Sequence, residues 1–240
     1  MDFELVRIAL ALVMLGTAAF LDLRKREVSD LLWVVFGIAA GIVYFFDFPS
    51  SPAELATVIL SLGVTAAASF GIYKSGMFGG ADALGLVVLA AIVPTYGKQI
   101  ALLPVMFHPI APLTVLSNAV VLSLFGIVLN ISKNFAYARG PGNLFAGLEH
   151  ESPLRKTVAV LIGHRIKERQ HYTFPIETTM HGVRRFDFAL KSAEIAEYET
   201  RSDVWVMSGI PLLVYMLAGF VVMLLAGDLM ALAFSVFWPA

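Results

Sequence analysis

The chain has 240 residues, 58% of them hydrophobic and 15% charged, with a mean hydropathy of +0.80. Soluble domains carry about 25% charged residues, so an ordinary soluble globular domain is excluded. The absence of cysteine excludes disulfides, thiolate metal sites and thiol nucleophiles. The net formal charge is only −1, but residues 132–203 hold 11 of the 17 Lys and Arg.

A membrane helix needs about 20 apolar residues to cross roughly 30 Å of hydrocarbon. Phe3–Leu21 meets this, with Glu4 and Arg7 near its start able to snorkel. It has no basic leader region and is long enough to stay as an anchor rather than a cleaved signal. Leu31–Phe46, Ala53–Tyr73, Ala83–Tyr96, Leu113–Ile131 and Val204–Phe237 follow as further apolar runs. The fourth is short and runs on into the stretch Ile100–Ala111, which Pro104 and Pro109 break. The sixth is longer than one crossing requires. Between the fifth and sixth lies a mixed segment, 132–203, in which Thr157–Ile166, Tyr172–Thr178 and Gly182–Leu190 suggest short strands. Alternation of period two is visible in Arg185-Phe186-Asp187-Phe188, and Ser192–Ser202 leads into the last span. The expected fold is therefore an all-α polytopic membrane protein of about six transmembrane helices with a small, β-containing insertion. Its parts are 1–131 (five spans), 132–203 (soluble insertion) and 204–240 (the last span).

Loop charge sets the orientation. The first loop carries Arg24, Lys25 and Arg26, and the second, Asp47–Glu54, carries no Lys or Arg. Lys74 falls in the third loop, Lys98 in the fourth, and the basic insertion forms the fifth. The odd loops are thus expected on the cytoplasmic side of a cell membrane, with both termini outside.

Carboxylates in or beside membrane spans are costly, so each needs an explanation. Asp22 ends the first span and Asp82 begins the fourth, directly after Gly79-Gly80-Ala81. The first helix runs inward and the fourth outward, so both acids lie at the cytoplasmic end, at matched depth. Two carboxyl groups close enough to share a proton suit peptide cleavage: one takes a proton from water while the other hydrogen-bonds the scissile carbonyl. The plainer reading of a single Asp at a helix end is a cap. That reading is given to Asp30, for the second span, and is open to Asp82. Asp47 and Asp228 are read as solvated interface residues. Gly76, Gly79 and Gly80 give the segment before Asp82 freedom to act as a hinge or to admit an extended substrate backbone.

Asp22 with Leu23–Asp30 resembles the first signature of the type IV prepilin peptidase superfamily, a helix-ending Asp followed by basic residues and an Ile-Pro-Asp/Asn element. Gly79-Gly80-Ala81-Asp82 resembles its second, the Gly-x-Gly-Asp motif that names these aspartyl proteases. Six spans, the interval between the acids and Ser208-Gly209-Ile210-Pro211 fit the archaeal preflagellin (archaellin) peptidase branch. The likeness covers about 1–131 and 204–237. Val28-Ser29-Asp30 stands where the family has Ile-Pro-Asp, and Ala81 stands where the name motif has its second Gly.

The resemblance implies a membrane aspartyl endopeptidase. It would cleave short basic leaders from preflagellin- or prepilin-like precursors at the cytoplasmic face, with Asp22 and Asp82 catalytic. Methylation is not implied, because the cysteine-rich insertion of bacterial relatives is missing. Glu149 and Glu151 are candidates to meet a basic leader. No cofactor and no metal are expected, since His164, His171 and His181 match no common metal spacing. No nucleic acid partner is expected, and Gly140-Pro141-Gly142 lacks the Lys-Ser/Thr of a phosphate cradle. Arg184-Arg185 suits solvent or anionic lipid heads. The alternative of another class is a proton-coupled transporter using the same two acids. Their place at one end of the bundle, without an inverted repeat, weighs against it. A presenilin-like protease lacks its Pro-Ala-Leu element here, and a non-catalytic scaffold leaves Gly-Gly-Ala-Asp unexplained.

Overall fold

The structure, a computed structural model, describes residues 2–76, 79–95, 109–140, 142–189, 197–209 and 211–237. Residues 100–108, expected to prolong the fourth span, and 192–196 of the lead into the last span lie outside these. The described residues form α1 (Phe3–Lys25), α2 (Asp30–Phe46), α3 (Pro52–Lys74), α4 (Gly80–Ile92), α5 (Ala111–Ser123), α6 (Phe125–Ala138) and α7 (Pro153–Ile162). After these come β1 (His164–Ile166), β2 (Thr173–Pro175), β3 (Glu177–Met180), β4 (Val183–Phe186), β5 (Val204–Ser208), α8 (Leu212–Ala226) and α9 (Leu229–Phe237). They group into two compact units, Met1–Ser123 with Pro211–Ala240, and Leu124–Ile210.

The first unit is a helical bundle. Three of its helices begin at side-chain caps: for α1 Asp2 accepts from the Glu4 amide, for α2 Ser29 from Leu31, and for α3 Ser51 from Glu54 with Pro52 at the first helical position. The cap of α2 is thus Ser29, and Asp30, read as that cap, sits one residue inside the helix. Met14, Leu15, Trp33, Leu86, Leu89, Val115, Met216 and Phe220 form the buried centre. At Gly219 on α8 an added Cβ would lie 2.7 Å from the Val115 carbonyl oxygen and 3.0 Å from the Ala119 nitrogen. The missing side chain lets the backbones of α5 and α8 approach closely, as small residues do in membrane interfaces. Large apolar side chains point outward: Phe45 is 82% exposed, and Phe20, Leu31 and Phe70 are exposed as well. Water makes such a surface unfavourable and lipid does not.

Three helical stretches, Phe3–Lys25, Pro52–Lys74 and Ala111–Ala138, are long and apolar enough to cross a membrane. A fourth crossing counts if α8 and α9, bent by 51° at their junction, act as one span. The 17-residue α2 and 13-residue α4 are apolar but shorter. The sequence makes one span of Val204–Phe237, and the structure divides it. Val204–Ser208 is a strand, and the helix breaks at Gly227-Asp228. Asn118 satisfies that break, donating to the Gly219 and Gly227 carbonyls and accepting from the Leu229 amide at 2.8 Å. Asp228, read as a solvated interface residue, is instead 2% exposed and accepts from the Met230 and Ala231 amides.

In the second unit, β5 is the centre of an antiparallel sheet of order β1-β5-β2, and β3 with β4 makes a hairpin. His181 and Gly182 both have positive φ (51° and 78°), the requirement of a tight hairpin turn. Short strands are therefore present as expected, but Thr157–Ile162 is helical, continuing α7 from its Ser152 cap. Leu148, Ile176, Phe186 and Trp205 form the core, with Phe145 stacked on Trp205. Arg165 is buried, paired with Asp203 at 2.8 Å and donating to the carbonyls of Asn143, Leu144 and Ala146. Glu177 accepts from Arg184 and from the Trp205 amide.

His164 is buried on β1 with Nε2 3.2 Å from Gln170 Oε1, and its Nδ1 has no partner among the described residues. Burial, and then the charge of Lys133, hold the imidazole below the usual histidine range. A group kept neutral by folding binds fewer protons folded than unfolded, so stability rises with pH across its window. This contribution is full above the unfolded value of about 6.5 and is lost as pH falls below it. The Arg165 hydrogen bonds hold the Asp203 carboxyl below the ordinary range, so its contribution disappears only under more acidic conditions. The melting temperature of the full-length protein in detergent is expected to drop from about pH 7.5 to about pH 5.5. His164→Gln is expected to flatten that dependence.

Candidate active site

Both acids singled out in the sequence belong to the first unit, where α1 packs against α4. Asp22 lies in the last turn of α1, which ends where Arg26 takes the left-handed conformation (φ 55°) and returns its amide to the Asp22 carbonyl at 3.0 Å. From that position the Arg26 guanidinium reaches back to the Asp22 carboxylate at 4.0 Å. Both side chains are largely shielded, at 20% and 15% exposure.

Asp82 is the third residue of α4. Its Oδ2 accepts the Gly79 amide at 3.1 Å, one half of a capping box, since Gly79 at the cap position has no side chain to return the bond. The capping function open to Asp82 in the sequence is thus real, exerted from inside the helix. Its carboxylate lies within electrostatic range of Asp22 and of Arg26. The fold therefore brings together one acid from the C-terminal end of one helix and one from the N-terminal end of another, with a guanidinium beside them.

Of the glycines, Gly76 has a positive φ (72°), which favours glycine. Gly79 is extended (φ −75°, ψ 164°), and a Cβ there would make ordinary contact with Asp82 Oδ2 at 3.7 Å. Gly80 opens α4. The Ala81 methyl packs against the apolar core, which gives a physical use to the side chain standing where the motif has Gly.

Glu149 and Glu151 belong to the second unit. Glu151 is buried, paired with Arg155 at 2.7 Å and accepting the Phe186 amide at 2.9 Å. Glu149 is exposed, and its carbonyl accepts from Lys156.

In the sequence Arg26 figures as a loop charge and as one of the basic residues of the first signature, not as a partner of Asp22. Its four-residue spacing from Asp22 was the available signal, since side chains at i and i+4 share a helix face. Arg7 and Asp47, read as snorkelling and solvated residues, pair at 3.4 Å, and Arg7 lies over the Tyr44 ring at 4.2 Å. They line a cavity of about 490 Å³ with Glu4 and Glu54. It opens at the other end of α1, some fifteen residues or roughly 22 Å of helix from Asp22. Among the described residues no three His, Asp or Glu side chains are gathered as a metal site.

An acid from each of two helix ends is thus set beside the other in an apolar helical bundle. Residues 9–131, which include both acids, match the type IV leader peptidase family, and residues 155–229 match the archaeal peptidase A24 C-terminus, type II. The chain belongs to the type IV leader peptidase family and is an aspartic peptidase. It is 23% identical over 223 residues to the preflagellin peptidase of Methanocaldococcus jannaschii, covering 88% of this chain and 89% of that one.

The cap and any chemistry at Asp82 are separable. Asp82→Asn keeps an oxygen for the Gly79 amide and is expected to melt close to the wild type. Asp82→Ala is expected to lose about 1 kcal/mol with the cap. Thermal melting of the purified protein in detergent checks the order.

Proposed function

We propose that this peptidase removes short basic leaders from preflagellin- or prepilin-like precursors, with Asp22 and Asp82 as its catalytic pair. The observation that carries this reading is the electrostatic proximity of the two carboxylates, 60 positions apart in the chain, at the ends of α1 and α4. Family membership and the preflagellin peptidase relative support the substrate class.

In the proposed reaction the pair holds one proton. The ionised member takes a proton from water, and the hydroxyl oxygen attacks the scissile carbonyl carbon. The protonated member hydrogen-bonds and then protonates the carbonyl oxygen. Proton transfer to the amide nitrogen breaks the C–N bond and releases the leader. These steps belong to the pair acting as a unit. In this reading Gly76, Gly79 and Gly80 give the segment before Asp82 the freedom to close over a bound leader, residues 77 and 78 of that segment lying outside the described residues. Of the two acids expected to meet the leader, Glu149 is the more exposed.

The proposed membrane arrangement has six crossings with α2 and α4 among them, both termini outside and the acid pair cytoplasmic. Its support is the contrast between Arg24-Lys25-Arg26 after α1 and the second loop, Asp47–Glu54, which has no Lys or Arg.

Asp22→Asn and Asp82→Asn are each expected to abolish cleavage of a precursor with a basic leader while the protein still folds. The double variant should be no worse than either single one. Near-normal turnover by either single variant rules out the pair. Because the chain has no cysteine, Ser51→Cys and Ser152→Cys report sidedness cleanly. The first should label from outside intact cells and the second only after permeabilisation. The reverse pattern overturns the cytoplasmic placement.

A further inference from the structure

α6 has one face committed to its own unit and the rest open. Asn134 is buried, donating to the Val160 and Gly163 carbonyls (3.3 and 2.8 Å) and accepting from the Arg165 amide at 3.0 Å. One turn earlier, Asn130 donates to the Leu161 carbonyl at 3.1 Å. These bonds fix the C-terminal end of α7 beside residues 130–134 of α6. Outside that seam, Phe125, Val128, Leu129, Ile131 and Phe135 are all exposed. They lie in the stretch Ala111–Ala138, which is apolar and long enough to cross a membrane.

The polar limit of this apolar surface is marked on α6 itself. Lys133 is exposed, and Arg139 lies over the Phe135 ring at 4.3 Å. Lys167 lies over the Tyr137 ring at 5.4 Å. Basic side chains laid along aromatic rings are the usual occupants of the lipid headgroup layer. The end of α7 is therefore held level with, or on the apolar side of, that basic collar. On α7, Leu154 and Leu161 are two turns apart on one face and are 74% and 36% exposed, with Ile162 at 37%. The other side of α7 carries buried Ala159. A short helix with an apolar edge open, beside an apolar helix and a basic collar, has the pattern of an element lying in a membrane interface.

We propose that the open face of α6 and the outward edge of α7 form one lipid-contacting surface. Leu161 and Ile162 sit at the boundary of hydrocarbon and headgroups, and Lys133 and Arg139 meet anionic phosphates. The second unit then rides on the bilayer through α7 as well as through its covalent connections. The inference uses no catalytic residue and stands independently of the proposed peptidase reaction.

The cysteine-free chain makes the test direct. Full-length Leu154→Cys, Leu161→Cys and Ile162→Cys variants, with Thr179→Cys as the exposed hairpin control, are labelled with an environment-sensitive fluorophore in nanodiscs containing phosphatidylglycerol. Lipid-borne nitroxide is expected to quench positions 161 and 162 several-fold more than 179, with iodide access reduced in the same proportion. Position 154 should respond most to a quencher placed at the headgroups. In parallel, the unmodified chain is labelled with a diazirine lipid, and adducts are expected on residues 154–162 and not on β3–β4. Positions 161 and 162 behaving like 179, with no adducts on α7, overturn the proposal. So does shielding from iodide without lipid quenching, which would mean that another copy of the chain or a protein partner covers this edge.

Discussion

A charged carboxylate in apolar surroundings is tolerated only where other groups offset its loss of water, and that constraint shapes the surroundings of Asp22 and Asp82. Asp22 sits at the C-terminal end of α1, where unpaired carbonyls already make the local field negative. Arg24, Lys25 and Arg26 follow at once, and Arg26 turns back to within 4.0 Å of the acid. Asp82 sits at the opposite kind of terminus, where free amides favour negative charge, and it accepts one of them from Gly79. Two helix ends of opposite polarity thus each hold an acid, and the packing of α1 on α4 brings the acids into range.

The same constraint explains the rest of the bundle. Where α8 and α9 break, the freed backbone groups would be costly in lipid. Asn118 takes two of them, the Gly227 carbonyl and the Leu229 amide, and Asp228 caps the new helix end. Close backbone approach at Gly219 gives α5 and α8 the contact that hydrophobic burial alone does not supply between helices in a membrane. In the second unit the task is ordinary: an aromatic core around Trp205, and charges such as Arg165 held by several partners at once.

Much of this was legible in the sequence because membrane helices and helix-end acids leave local signatures. The apolar runs located α1 to α5, and Gly79-Gly80-Ala81-Asp82 located the turn and the acid together. What escaped depended on partners distant in the chain. Val204–Ser208 is apolar enough to read as the start of a helix, and only pairing with β1 and β2 makes it a strand. Asp228 follows Gly227, a visible stop-and-cap signal, but its burial rests on Asn118 and the fold around it. Arg7 was read as snorkelling to water, whereas Tyr44 and Asp47 from α2 and its end hold it within the bundle.

The central claim is that Asp22 and Asp82 work across the gap between two helices, and its most direct measurement uses the absence of cysteine. Asp22→Cys and Asp82→Cys combined in one chain should cross-link with a short thiol-specific bifunctional reagent, and a bound leader peptide should increase the yield. An Asp22→Cys, Ser51→Cys pair, which joins residues at opposite ends of the proposed bundle, should give none. No cross-link between positions 22 and 82, with or without leader, when both thiols are shown to react singly, would contradict the account.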